Sequence, residues 1–546
     1  MLMFEYIDLI RNNFNKKAAK IHTKNISKFY RSHGSKGYEE AFNYIYNEIK
    51  DQPFEKIEIE TFPLNSSEGN YPAWEPIKVE TKIIEPIVEK LISFNDIPTC
   101  ITWYSKSTPP GGVIAEVCDV GYGLNKDDYN GLNLKGKIAL ATGNSPEDTL
   151  RTYDLAVKTF GAIGIISDCL ISPIPGYRTK EITPDFVSLN RLSRKYNDSW
   201  AIIISGRMGA RIRELLKKSV VKIHVEIEAK TFDGEGKSLV TTLKGSDLPN
   251  QEIIIIGHVT NPEPNANCAS GPALMIELSK SFFSIIKKNK LLKPKRTIKF
   301  LFVPEGSGSI AYVENHKKNL KNIIGALCLC GIGQNQDLSK SFLTLSRTTD
   351  STPSYLNDLS YSFLENSVDL TNPSLKYKEI PYSPFSDNST FNMASIPTIL
   401  LSSEPNIFFH TQFLTWETTS EEVFNVSACV IGGIALFNSN ANLLSVIMII
   451  NLTKIRSQER LIKKEKIYNN QLLKKSVNNV EEFVLLCNEE INYIIERDSI
   501  AIESCKNIIN NQLTKKFINE SKDELISHGI KIKDNLKKYA SFISIT

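Results

Sequence analysis

The sequence predicts an α/β fold: a mixed, mostly parallel sheet sandwiched by helices, with an inserted β-rich domain and a helical C-terminal extension. Three observations predict it. The wholly apolar run Ile253-Ile254-Ile255-Ile256 has the composition of a strand buried on both faces of a parallel-type sheet. From Ser238 onward strand and helix patterns alternate, which places helices on the faces of that sheet. From about Leu444 the chain nearly lacks Gly and Pro and keeps a helical period.

The elements follow in order. Residues 37–50 set Phe42, Ile45 and Ile49 on one helical face, and 56–62 alternate as a strand. A different texture begins near Thr99, with short β-type runs over 111–120 and 137–141 between Gly-rich turns. A helix end, a turn at Gly161 and a buried strand to residue 166 come next. Residues 208–218 read as an amphipathic helix and 220–229 as an alternating strand. After the Ile run, a helix over 272–288 carries Ala273, Ile276, Leu278 and Phe282 at apolar positions. Strands over 297–303, 323–329 and 396–401 complete the series, with a helix from Ile310. Late helical spacing shows in Val480, Phe483, Val484 and Cys487. These shifts predict four regions: 1–100 and 231–443 forming the main domain, 101–230 inserted into it, and 444–546 extending it. The extension reads as a bundle that caps the main domain, or as an arm for a protein partner or self-association.

The 546 residues are 41% hydrophobic and 23% charged, ordinary for a soluble globular protein. A net charge of +4 over this length gives no footprint for nucleic acid or an anionic surface. The first ten residues carry Glu5 and Asp8 inside their apolar stretch and do not read as a signal peptide. Residues 441–452 are interrupted by Asn442 and Asn451 and fall short of the roughly 20 apolar residues a membrane span takes. Nine scattered cysteines fit a reducing compartment better than a disulfide framework. The expectation is a cytoplasmic protein with no nucleic-acid or membrane partner.

Ligands of such sheets sit beyond the carboxyl ends of the strands. The loops that begin at Gly257, Pro304, Cys330 and Ser402 are therefore the ones to read. They hold His258, Glu305 (in Pro304-Glu305-Gly306-Ser307-Gly308-Ser309), Cys330 before Gly331, and His410 in Phe408-Phe409-His410-Thr411. Two His, a Glu and a Cys on one sheet edge have the chemistry to converge on a transition metal. Singly, each has an ordinary structural role as a hydrogen-bonded loop residue or a buried small hydrophobe. Ser270 reads as a helix cap with no His base beside it in sequence. Gly306-Ser307-Gly308 lacks the Lys and spacing of a P-loop. Arg31, His33, Gly34 and Ser35 read as the turn that enters the 37–50 helix.

Together these segments resemble a known family. The stretch from His258-Val259-Thr260-Asn261-Pro262 through Asn267-Cys268-Ala269-Ser270-Gly271, ending in Ile276-Glu277-Leu278, resembles the metal-binding segment of M28 aminopeptidases. Its prolines Pro262, Pro264 and Pro272 are similar to a bacterial and archaeal aminopeptidase-like branch carrying a domain of unknown function. Ser386-Asp387-Asn388 with Phe391, Ser395-Ile396-Pro397, and Phe409-His410-Thr411 resemble further signatures of the same family. Gly136-Lys137-Ile138 and Gly161-Ala162-Ile163-Gly164-Ile165 resemble those of a protease-associated domain, which in related peptidases sits over the active-site mouth.

The resemblance implies a site of two zinc ions with two His and three acidic ligands, one carboxylate bridging the metals, and a Glu as general base. Carried over, His258 and His410 are the retained histidines. Thr260 stands where the family has the Asp that orients the first His. Asn267 stands for the bridging Asp, Cys330 for a further acid, and a single Glu305 for paired glutamates; Asp387 joins Thr260 in the outer layer. A neutral amide does not offset the repulsion of two cations, so at most one zinc is expected. Three readings follow. One zinc is held among His258, His410, Cys330 and Asn267, with Glu305 as base; or Cys268 and Cys330 join His258 in a site of changed character; or no metal binds. The first implies aminopeptidase-type hydrolysis with a peptide or protein N-terminus as ligand. The last implies a pseudopeptidase serving as a peptide- or protein-binding or assembly module.

Overall fold

The apolar run at 253–256 lies at the centre of a sheet, as its composition requires. In the computed structural model, which describes residues 1–546 except 68–70, 195–197, 263, 475–476, 478 and 546, strands fall into two sheets. In chain order they are β1 (Lys56–Leu64), β2 (Ala73–Glu85), β3 (Glu89–Ser93), β4 (Val113–Asp119), β5 (Ile138–Ala141), β6 (Gly164–Ser167), β7 (Ala201–Ile203) and β8 (Lys222–Phe232). There follow β9 (Gly234–Leu243), β10 (Leu248–His258), β11 (Arg296–Val303), β12 (Ile323–Cys330), β13 (Phe342–Ser346), β14 (Tyr377–Ile380) and β15 (Thr398–Glu404).

The first sheet has eight strands in the order β1-β9-β11-β10-β12-β15-β13-β14. Its centre, β11-β10-β12-β15, is parallel, and β9 and β13 flank it antiparallel. Successive side chains of a strand point to opposite faces. Ile253 and Ile255 accordingly join the core beneath helices Asn267–Lys288, Tyr355–Thr371 and Glu421–Asn440, while Ile254 and Ile256 pack with Tyr312 and Phe391 on the other face. Helix Glu421–Asn440 is long and apolar enough to cross a membrane, but 94% of its most apolar window is buried in this core. Register decides where the strands stop: His258 lies opposite Val303, Gly257 opposite Leu329, and Cys330 opposite Ser402. The four parallel strands thus release their loops on one edge.

The second sheet, β3-β2-β8-β4-β5-β6-β7, has its own hydrophobic clusters around Trp74, Ile202 and Ile223, and around Tyr129, Tyr153 and Ile165. It takes in β2 and β3, which lie before residue 101, whereas β1 pairs with β9 of the first sheet. Strands β4 to β7 run parallel, and helix Gly206–Leu216 packs its Ile212 and Leu215 into the first of these clusters, so this body is α/β in character. Helices Leu443–Leu473, Val480–Glu503 and Gln512–Ile545 form the C-terminal region, and Val446, Ile449 and Ile450 insert into the main core.

Local differences from the sequence reading have local causes. The helix expected from Pro272 begins at Asn267, with Pro272 inside its second turn; Ser270 is within the helix, donating Oγ to the Asn267 carbonyl rather than capping. The helix expected from Ile310 begins at Ser307. Strands β13 and β14 and helix Tyr355–Thr371 are additions, in a stretch whose polar residues blur the period.

Candidate metal centre

The edge where the parallel strands end is where the polar side chains meet. Strand β10 delivers His258, 1% exposed, and the start of helix Asn267–Lys288 turns Cys268 back towards it. His258 Nε2 lies 2.8 Å from Cys268 Sγ and 3.8 Å from Cys330 Sγ at the end of β12. Among the described residues, His258, Cys268 and Cys330 form the group whose ligand atoms all lie within 4.8 Å of one another.

On the other side of the ring, His258 Nδ1 donates to Asp387 Oδ2 at 2.9 Å. Asp387 is fully buried, and its second oxygen accepts from Gly306 N at 2.9 Å and Ser309 Oγ at 2.7 Å. One carboxylate therefore sets the histidine and the Glu305 loop together. The expectation that the orienting carboxylate was lost with Thr260 is thereby corrected: it arrives from 129 positions along the chain. Thr260 Oγ1 instead accepts from Glu305 N at 2.9 Å, holding the same loop. Gly306 has φ +71, and a Cβ there would lie 2.5 Å from the Tyr71 hydroxyl, so glycine is required. Glu305 Oε1 is 3.9 Å from His258 Nε2.

Asn267 was expected as a metal ligand. Its amide nitrogen faces the sulfurs, 3.6 Å from Cys268 and 3.7 Å from Cys330, where it donates to both. Asn261 Nδ2 donates to Cys268 Sγ at 2.7 Å. Sequence reasoning did not find Asn261, and it ranked Cys268 behind Cys330. The signal present was the Cys that follows Asn267 in the family-like segment. Arg31, read as part of a helix-entry turn, is completely buried and donates to the carbonyls of Val259 and Asn265, fixing the loop that bears Asn261.

His410 stands apart from the three-residue group. Its ring stacks on Phe409 at 3.9 Å between centroids, its φ is +55, and its carbonyl accepts from Leu189 N of the second sheet's body. A non-glycine residue in that left-handed region is held there by its surroundings. Burial lowers its imidazole to about 4 against the raising influence of Cys268.

Electrostatics follow from these contacts. Burial alone would raise the Cys268 thiol, but hydrogen bonding from Cys330 and the His258 charge hold it well below its usual value. Hydrogen bonding to Cys268, with burial, pushes Cys330 well above. Burial would lower His258, but Cys268, Glu305, Cys330 and Asp387 keep it well above. Burial would likewise raise Asp387, and its bond from His258 brings it below the usual carboxylate value. Enclosure by the cleft raises Glu305 to about 7, opposed by the His258 charge and reinforced by Cys268; its side chain remains 40% open to cleft water.

The donor set fits zinc. Tetrahedral zinc with bonds of about 2.3 Å to sulfur and about 2.0 Å to nitrogen separates its ligands by roughly 3.6–3.8 Å. The Cys330 to His258 distance of 3.8 Å already meets this, and Cys268 needs to retreat from its 2.8 Å hydrogen bond by only about 1 Å.

Comparisons place this geometry among known folds. Residues 127–353 match the model of a family described as a domain of unknown function, DUF4910. No curated protein matches the sequence. A peptidase M28 precursor from Shewanella amazonensis is similar in structure, with a TM-score of 0.60 and 16% identity over 81% of this chain and 97% of its own. A zinc aminopeptidase from Bacillus subtilis gives 0.55 and 15% over 77% and 94%. An aminopeptidase from Aneurinibacillus sp. strain AM-1 gives 0.51 and 21% over 79% and 96%. The chain has the fold of these zinc aminopeptidases and peptidases.

Proposed function

We propose that this protein is a zinc-dependent amide hydrolase of aminopeptidase fold, using one metal ion held by His258, Cys268 and Cys330. The observation that carries the reading is the convergence of one ring nitrogen and two sulfurs within 4.8 Å, beside a glutamate 3.9 Å from the same nitrogen. Three protein ligands leave a fourth position for water or substrate, as in catalytic zinc sites. Zinc held there would supply Lewis-acid polarisation of an amide carbonyl and a lowered water pKa. The chain's own residues do the rest. Glu305 takes the proton of the attacking water and returns it to the leaving nitrogen. Asp387 accepts from His258 Nδ1 and so leaves Nε2 free as the ligand atom. Asn261 and Asn267 donate to the sulfurs and disperse their charge. The body of the second sheet covers the strand ends in the manner of a protease-associated domain. Nine free thiols suit a reducing, cytoplasmic setting.

Elemental analysis of the purified protein should give one zinc per chain. In hydrolysis of amino-acid p-nitroanilides and N-acyl dipeptides, Glu305→Gln should abolish turnover and keep the metal. Turnover that persists in Glu305→Gln would end this reading. A chain that binds no zinc and cleaves no amide would be the pseudopeptidase binding module instead.

One observation favours a second reading. Cys268 Sγ, the His258 ring and Asp387 Oδ2 are joined at 2.8 and 2.9 Å, the spacing of nucleophile, base and orienting carboxylate. Against it, Cys268 is 2% exposed and also accepts from Asn261, which leaves little approach for a carbonyl. Activity that survives exhaustive chelation would favour the thiol; activity lost on chelation and restored by zinc favours the metal.

A further inference from the structure

The wall that faces this centre is cationic. The segment around residues 185–194 runs beside the His410 loop: Val187 N donates to Gln412 Oε1 at 3.0 Å, and Leu189 N to the His410 carbonyl at 2.7 Å. Behind it lies Arg178, completely buried. Among the described residues its guanidinium reaches the Asn406 carbonyl at 3.4 Å and Ser188 Oγ at 3.0 Å, and its Nε has no partner. Two further arginines are exposed on the same segment. Arg191 is anchored through a backbone bridge to Trp103, and Arg194 lies 3.6 Å from the centroid of the Tyr71 ring. Tyr71 in turn lies 4.7 Å from the His33 ring, whose Nε2 is 3.0 Å from the Glu305 carbonyl. Neither Arg191 nor Arg194 makes an ion pair among the described residues. The Arg191 charge is felt at both Glu305 and His410, and that of Arg194 at His33 and Tyr71.

Recognition of a free N-terminus needs carboxylates uncommitted to other work, and among the described residues this cleft does not offer them. Asp387 is committed to His258, Gly306 and Ser309, and Glu305 has the role of base. What the cleft offers is two guanidinium forks with no carboxylate partner among the described residues, beside a third that is buried. A planar carboxylate is the group such forks bind best. Low-dielectric cleft walls strengthen the attraction.

We propose that the cleft binds an amide carrying a carboxylate, an N-acylated α-amino acid of which a peptide's C-terminal residue is one case, with Arg191 and Arg194 holding that carboxylate. This departs from the N-terminal ligand implied by the resemblance. It rests on the hydrolase reading of the same cleft but is tested by binding, with zinc-loaded and zinc-free protein.

Calorimetric titration would compare N-acetyl-leucine (anionic), N-acetyl-leucinamide (neutral) and leucinamide (cationic). The anion should bind at least roughly tenfold more tightly than either of the others, in both zinc states. Arg191→Gln and Arg194→Gln should each weaken the anion by roughly tenfold while leaving the neutral amide unchanged. Both side chains are exposed, so the variants should keep the wild-type melting temperature and zinc content, which are measured alongside. An anion preference that vanishes on zinc removal, or survives in the double variant, overturns the proposal, as does tighter binding of leucinamide. Anion binding through the two arginines in a protein that hydrolyses nothing would sink the hydrolase reading and leave this one standing.

Discussion

At the residue scale, the centre depends on one carboxylate doing two tasks. Asp387 orients His258 through Oδ2 and the Glu305 loop through Oδ1. Asp387→Asn should therefore lower zinc affinity about 10–100-fold, read by competition with a chromogenic chelator, because the His258 tautomer is no longer fixed. The ligand set makes a second, sharper expectation. Cys268→Ser should reduce zinc content well below one per chain, whereas His410→Ala should leave it near the wild-type value. Zinc lost from His410→Ala and kept in Cys268→Ser would restore the two-histidine arrangement that the resemblance implies. His410 is held through its backbone carbonyl, which accepts from Leu189 N, and through its ring stack on Phe409.

At the scale of elements, strand ends bring His258 and Cys330, the start of a helix brings Cys268, and the remaining helices secure the scaffold. The C-terminal helices are fastened by charge as well as by apolar contact. Arg460, on helix Leu443–Leu473, pairs with Asp358 of helix Tyr355–Thr371 and with Asp498 of helix Val480–Glu503. Both aspartates are nearly fully buried, and without Arg460 each keeps one arginine, Arg347 for Asp358 and Arg497 for Asp498, so the buried charge is only partly compensated. Arg460→Ala should cost about 3 kcal/mol, seen in denaturant unfolding. Burial would raise the Asp498 carboxyl, yet Arg460 and Arg497 hold it below the ordinary 3.8. A folded-state value below the unfolded one stabilises at pH above 3.8 and loses that contribution as pH falls through the lowered value. Amide protection in helix Leu443–Leu473, relative to the intrinsic exchange rate at each pH, should accordingly fall below about pH 4, and the pH slope should shrink in Arg460→Ala.

At the scale of the whole molecule, the centre lies between two sheets. The proposed ligands come from the first, while the cationic segment comes from the body of the second and is tied to the His410 loop by backbone bonds. A metal that binds only the folded arrangement stabilises it by mass action. At a free zinc concentration about a hundredfold above Kd the gain is about 2.7 kcal/mol. For a chain of this length, melting as one unit, that is roughly 2 °C, lost on chelation and recovered on adding zinc. A melting temperature indifferent to zinc would place metal binding outside the folded pocket.

The sequence alone determined the parallel core and its ligand edge, because a four-residue apolar run and alternating helices fix a doubly covered sheet, and strand ends must expose loops. His258, Glu305, Cys330 and the outer Asp387 were all legible from that rule and the family-like segments. What the tertiary structure decided was which of them meet. The pairing of Asp387 with His258 spans 129 positions, and no local period encodes such a contact. Cys268 faces the site because the helix starts at Asn267 rather than at Pro272, a shift of a little over one turn that swings the side chain onto His258. The split of β1 from β2 and β3 between two sheets is likewise a choice of pairing partner, since hydrogen bonding along a strand edge is the same for any neighbour. Composition writes the strand; only packing of the whole chain selects what lies beside it.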